Sequence, residues 1–130
     1  MAGEGKKIKI MIVDDDKFLL DMYAKKFSGN GFVVETCSDA VSCLDKLRND
    51  VIPNILVVDL IMPEMDGLSL LSIIKEEKLA PQTVNIVLTN QGNEDDLEKA
   101  NALGVDGYII KALNTPTEVV IKINNIFNKK

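Results

Sequence analysis

The chain has 130 residues, a length that sets an expectation of one domain around one fold. Hydrophobic residues at 46% and charged residues at 27% match ordinary globular chains, so wholesale disorder is excluded, and no disulfide or structural metal is needed for a core of this size. Fifteen Lys and Arg against 20 Asp and Glu, with no histidine, exclude a Ser-His-Asp or Cys-His nucleophile and an imidazole metal site, and offer no basic face for nucleic acid or an anionic membrane.

Residues 1–6 carry no hydrophobic stretch of their own and read as a flexible lead-in to a single domain over 7–130, not as a secretory signal. Five short apolar runs follow: Ile8 to Val13, Phe32 to Thr36, Ile55 to Val58, Val84 to Leu88 and Tyr108 to Ile110. Within three of them, Ile10 to Val13, Ile55 to Val58 and Ile86 to Leu88 are apolar at successive positions, as strands covered on both faces require, whereas Phe32 to Thr36 is more polar and suits an edge. None approaches the roughly 20 residues of a membrane span.

Between the runs, apolar residues recur at helical spacing. Phe18, Leu19, Met22, Tyr23 and Phe27 predict a broad apolar face on a first helix; Val41, Leu44 and Leu47 mark a second. Leu70, Leu71, Ile74 and Lys78 mark a third, Leu97, Ala100 and Leu103 a fourth, and Val119, Val120, Ile123, Ile126 and Phe127 a fifth. Gly29, Gly31 and Gly104 stand where helices end, and Thr115-Pro116-Thr117-Glu118 predicts a capping box with proline at the first helical position. Cys37 and Cys43 read as two small buried hydrophobes in a reducing cytoplasm.

Five strands, each followed by a helix, imply an α/β fold with a parallel sheet and right-handed crossovers. The expected form is a flavodoxin-like (βα)5 doubly wound three-layer sandwich with strand order 2-1-3-4-5. In such a sheet all strands end on one edge, where the polar endings Asp14-Asp15-Asp16, Asp59, Thr89-Asn90 and Lys111 would collect. Asp14, Asp15 and Asp59 repel one another unless a cation intervenes; Lys111 supplies one charge, and an all-oxygen donor set points to magnesium or manganese. A carboxylate beside a hard cation, a lysine and a hydroxyl is suited to accept a phosphoryl group. Asp16 reads as a helix N-cap.

These residues resemble the response regulator receiver domains of two-component signalling, the CheY-like superfamily. The match runs from about Lys7 to Phe127 through Ile12 to Asp16, Val57 to Gly67, Val87 to Asn90 and Asp106 to Lys111. The resemblance implies that Asp59 is the phosphoacceptor, served by a sensor histidine kinase or a phosphotransfer protein. Asp14, Asp15, Asp59 and the main-chain carbonyl of Ile61 would hold the metal; Thr89 and Lys111 would bind phosphoryl oxygens, and Tyr108 would switch with Thr89. Ile61 and Gln91 match positions that tune the phosphorylated lifetime. The implied protein is a cytoplasmic switch that hydrolyses its own phosphoryl group and is no turnover enzyme. It signals to a protein target or a homodimer through the fourth helix, fifth strand and fifth helix, and no output domain follows.

Two departures stand out. Ala112 follows Lys111 where the family usually has a cis proline, so either a trans bond with a rearranged loop or a strained cis bond is expected. Asn90 follows Thr89 where a smaller residue is usual. The alternative function is a receiver-like interaction module that does not depend on regulated phosphorylation. A phosphatase of the haloacid-dehalogenase type and a flavin-binding flavodoxin are disfavoured, the first for lack of a cap insertion, the second for lack of a Ser/Thr-Gly-rich phosphate loop.

Overall fold

The computed structural model describes residues 7–90 and 92–130, so the lead-in 1–6 and Gln91 lie outside the described residues. Strands β1 (Lys9–Val13), β2 (Val33–Cys37), β3 (Ile55–Val58), β4 (Val84–Thr89) and β5 (Gly107–Ile110) alternate with helices α1 (Lys17–Gly29), α2 (Ala40–Arg48), α3 (Gly67–Glu76), α4 (Glu94–Ala102) and α5 (Pro116–Asn128). All neighbouring strands pair in parallel, in the order β2-β1-β3-β4-β5. This is the expected doubly wound sheet.

Alternation along each strand divides the core in two. Met11, Val13, Leu56, Val58 and Val87 pack beneath α2, α3 and α4, while Ile10, Ile12, Ile55, Val57, Ile86 and Leu88 pack beneath α1 and α5. Side chains this deeply buried each stabilise the fold by about 1.5–3 kcal/mol. β2 begins one residue later than its apolar run, because Phe32 turns its ring edge-on to Phe27 (centroids 5.1 Å apart, planes at 88°) before the strand starts.

Three helical expectations need correction. Phe18 is 80% exposed: α1 buries Leu20, Tyr23 and Phe27, and Phe18 lies about 200° around the helix from Leu20. Val41 and Leu97 are likewise exposed, leaving Ala40, Cys43, Leu44 and Leu47 as the contact face of α2 and Ala100 as that of α4. Lys78 does not belong to α3, which ends at Glu76. Both α2 and α3 close with a left-handed residue, Asp50 at φ 66° and Lys78 at φ 56°, and Ala80 follows at φ 49°. For a side-chain-bearing residue that backbone costs about 1–2 kcal/mol.

The capping box forms as expected. Thr115 Oγ1 accepts the Glu118 N–H (3.1 Å), and Glu118 accepts the Thr115 N–H (2.7 Å). That backbone hydrogen bond, with the Thr115 side chain, holds the Glu118 carboxyl below its ordinary 4.5. Its stabilising effect is therefore complete above pH 4.5 and is lost as pH falls through the lowered folded value. Melting curves should accordingly show a shallower acid decline for Glu118→Ala than for the unaltered protein below pH 4.5.

Candidate functional site

Parallel pairing sets the strand ends side by side: Val13 is level with both Cys37 and Val58, Val58 with Val87, and Thr89 with Ile110. The residues that follow these ends meet around a cavity of about 290 Å³ lined by Asp14, Asp15, Asp16, Asp59, Asn90 and Lys111. Carboxylate oxygens of Asp14, Asp15 and Asp59 lie within 4.8 Å of one another. Asp14 and Asp59 are buried and Asp15 is exposed. Ninety-seven residues of sequence separation thus vanish between Asp14 and Lys111, whose Nζ donates to Asp14 Oδ2 at 2.6 Å and to Asp59 Oδ2 at 3.0 Å.

The backbone fixes the remaining carboxylate oxygens. Asp14 Oδ1 accepts the Asp16 N–H (2.9 Å), and Asp59 Oδ1 accepts the Ile61 N–H (3.2 Å). Asp16 caps α1 as expected, accepting from Phe18 and Leu19. Burial pushes the Asp14 carboxyl above its ordinary 3.8, outweighing the hydrogen bonds from Lys111 and from the Asp16 N–H that favour the charged form. Burial also opposes the Lys111 ammonium, but the hydrogen bond to Asp14 and the charges of Asp59 and Asp14 prevail and raise it above 10.5. Lys111 is therefore a fixed cation. One ammonium against three carboxyl groups leaves a pocket suited to a hard divalent cation.

Thr89 ends β4 fully buried, and its Oγ1 has no hydrogen-bond partner among the described residues. An unmade hydrogen bond of this kind costs about 1–3 kcal/mol, which makes the hydroxyl conspicuous at a strand end beside the cavity. Tyr108 is half-buried on β5, level with Val87, and its ring faces the loop after β4: a Cβ at Gly92 would lie 3.5 Å from Tyr108 Cε1. Burial, then the nearby Asp96 charge, raises its phenol above 10.0. Ile61 is 55% exposed at the cavity mouth.

The loop carrying Lys111 takes the trans alternative, with no cis peptide bond among the described residues. Lys111–Leu113 form a single 3-10 turn, and Asn114 closes it: its N–H donates to the Lys111 carbonyl (3.2 Å) and its Nδ2 to the Ile110 carbonyl (2.8 Å). Three contributors escaped the sequence reading. Asn114 carries no motif that announces a loop lock. Tyr23, assigned only to a helix face, is buried close enough to Lys111, Asp14 and Asp59 to feel their charges. Gly67 entered the sequence reading only as the end of the matched segment Val57 to Gly67; a Cβ there would collide with the Asp59 carbonyl oxygen and lie 2.8 Å from Leu60 Cα and 2.9 Å from Val58 Cγ1.

The sequence model of the response regulator receiver domain matches residues 10–124. The chain is 32% identical over 120 residues to the response regulator SaeR of Staphylococcus aureus strain USA300, covering 92% of this chain and 50% of the relative. It therefore spans about half the length of the curated relatives it matches. A CheY-like receiver domain protein from Methanospirillum hungatei superposes with a TM-score of 0.86 at 27% identity, covering 95% of this chain and 96% of the other. Vibrio cholerae chemotaxis protein CheY4 shares the fold at a TM-score of 0.85 and 21% identity, covering 92% and 98% of the two chains. Sequence match, sheet order and shape agree: the chain belongs to the response regulator receiver domain family of two-component signalling.

Proposed function

We propose that Asp59 accepts a phosphoryl group from a phosphohistidine on a sensor kinase or phosphotransfer protein, and that the resulting acyl phosphate switches protein contacts. The observation that carries this reading is Lys111 Nζ held between Asp14 (2.6 Å) and Asp59 (3.0 Å), with the buried Thr89 hydroxyl, which has no partner among the described residues, closing a strand level with Ile110. An Asp59 oxygen attacks phosphorus, the P–N bond breaks, and the imidazole leaves with its electron pair and takes a proton. Lys111 and Thr89 receive the phosphoryl oxygens, which supplies the hydroxyl with the partner it lacks. Asp14, Asp15, Asp59 and the main-chain carbonyl of Ile61 hold magnesium or manganese. When bound, that cation neutralises charge on the carboxylates and on the transferring oxygens.

Attack of water on phosphorus then returns the Asp59 carboxylate and inorganic phosphate, so the protein consumes its own signal and turns over no separate substrate. Tyr108 moves with Thr89, and output passes to a protein target or a second copy through α4, β5 and α5 in the cytoplasm. Lys111 reaches both carboxylates despite the turn at Ala112, which favours the phosphorylated switch over a receiver-like interaction module. Intact-mass measurement after incubation with acetyl phosphate tests the reading. One added phosphoryl group is expected with magnesium and none when the metal is chelated; equal incorporation in both would reject it.

Ile61 brings only an exposed alkyl chain to the cavity mouth, with nothing to orient an attacking water. Ile61→Asn is therefore expected to shorten the lifetime of the phosphorylated protein several-fold. An unchanged or longer lifetime, followed by loss of the phosphoryl mass, would refute that role.

A further inference from the structure

The chain's two cysteines, Cys37 and Cys43, have no part in the phosphoryl chemistry, yet the fold brings them together. Cys37 closes β2, level with Val13, and turns its side chain to the sheet face that carries Met11, Val13 and Val58. Cys43 descends onto the same face from the start of α2. Both are free thiols, exposed by only 2% and 0%. A hydrogen bond links the two side chains, and Cys43 Sγ is also 3.8 Å from Met11 Sδ. Alanine at both positions would fill a core of small apolar groups; facing thiols add two-electron oxidation, which alanine lacks.

The backbone around the pair ties it to the acidic cavity. The Cys37 carbonyl accepts the Asp14 N–H at 3.1 Å, so the end of β2 helps to place the first acid of the pocket. Lys46, on α2, holds that end of β2 from the other side: its Nζ donates to the Thr36 carbonyl at 2.8 Å and pairs with Glu35 at 2.9 Å. The two sulfurs are thus kept face to face between a strand end and a helix start. The first hydrogen bond of α2, from the Cys43 N–H to the Asp39 carbonyl, is 3.4 Å long, and fraying of that turn admits a small neutral oxidant.

We infer that Cys37 and Cys43 form a reversible disulfide with a peroxide as oxidant, and that this bond slows phosphoryl transfer to Asp59. One sulfur attacks a peroxide oxygen, the O–O bond breaks, and one water leaves with a sulfenic acid behind. The second sulfur attacks the sulfenic sulfur, the S–S bond forms, and a second water leaves. Two thiols are oxidised and one hydrogen peroxide is reduced to two waters; an external dithiol reverses the change. Drawing the sulfurs from hydrogen-bond to covalent separation displaces the end of β2 and with it the carbonyl that holds Asp14. Small misplacements of this kind slow a reaction by tenfold or more. Only the effect on transfer rests on Asp59 as phosphoacceptor; the disulfide does not.

The full chain is treated with hydrogen peroxide, quenched with catalase and measured as intact protein and as non-reduced peptides. The expected result is loss of two hydrogen atoms, reversed by dithiothreitol, with Cys37 linked to Cys43 in one chain. Cys43→Ala should lose no hydrogen and gain oxygen instead. With acetyl phosphate and magnesium, the oxidised protein should take up the phosphoryl group about tenfold more slowly than the reduced protein. Peroxide should leave the rate of the Cys37→Ala, Cys43→Ala double variant unchanged, which separates the disulfide from methionine oxidation. Absence of the linked peptide, a link only between chains, or equal rates in the two states would each overturn the inference. If neither state takes up the group while the linked peptide forms, the phosphoacceptor reading has failed and the disulfide stands.

Discussion

Asp59→Asn is expected to reduce phosphoryl incorporation from acetyl phosphate by at least about a thousandfold, to below detection by intact mass. A carboxamide oxygen is a poor nucleophile, and the geometry offers no substitute. Asp14 has one oxygen on Lys111 at 2.6 Å and the other on the Asp16 N–H at 2.9 Å, and burial favours its neutral form. Asp15 is exposed, without the Lys111 contact that would steady a phosphoryl group on it. The carboxamide is nearly isosteric, so the variant should retain its fold, and its Oδ1 can still accept the Ile61 N–H. Unfolding curves alongside the mass assay separate lost chemistry from lost structure. Incorporation at more than a small fraction of the unaltered level would show that another residue accepts the group.

The largest expected stability effect falls on Gly67→Val. Gly67 opens α3 and donates its N–H to the Leu60 carbonyl at 2.9 Å, directly beneath the loop that follows Asp59. A Cβ there would overlap the Asp59 carbonyl oxygen and approach Leu60 Cα to 2.8 Å, and neither backbone atom belongs to a side chain that can rotate away. Relief requires α3 to shift from β3, loosening Leu70, Leu71 and Ile74, all buried against the sheet. Overpacking of this kind costs about 3 kcal/mol, equivalent to a fall in melting temperature of roughly 10 °C. Gly29→Ala serves as the control, because nothing lies within 4 Å of the added Cβ. Thermal unfolding followed by circular dichroism should separate the two; equal melting temperatures would refute the close approach.

Much of the fold was legible because a parallel sheet makes strong demands on sequence. Covered strands must be apolar at successive positions, and Ile55 to Val58 reads that way without ambiguity. The site was legible for the same reason: Asp14, Asp59, Thr89 and Lys111 each stand at or just past the close of an apolar run, and parallel pairing sends every such ending to one edge. Side-chain direction on the helices was less accessible. Phe18 sits among apolar neighbours in sequence, yet only three-dimensional packing decides that Leu20, Tyr23 and Phe27 share the buried stripe. The end of α3 gave no warning, because the left-handed position that glycine would have advertised is filled by Lys78. Asn114 was invisible for a further reason: a single side-chain amide can secure a loop with no periodic pattern around it.

That amide has a consequence for how the Lys111 ammonium is aimed. Two hydrogen bonds from Asn114, at 3.2 Å and 2.8 Å, shape the turn behind it, where a ring closed by covalent bonds would do so in relatives with proline. Solvent competes for hydrogen bonds and cannot compete for a pyrrolidine ring. The backbone behind the cation is thus secured by bonds that temperature and denaturant can weaken, while its two short ion pairs hold the ammonium itself.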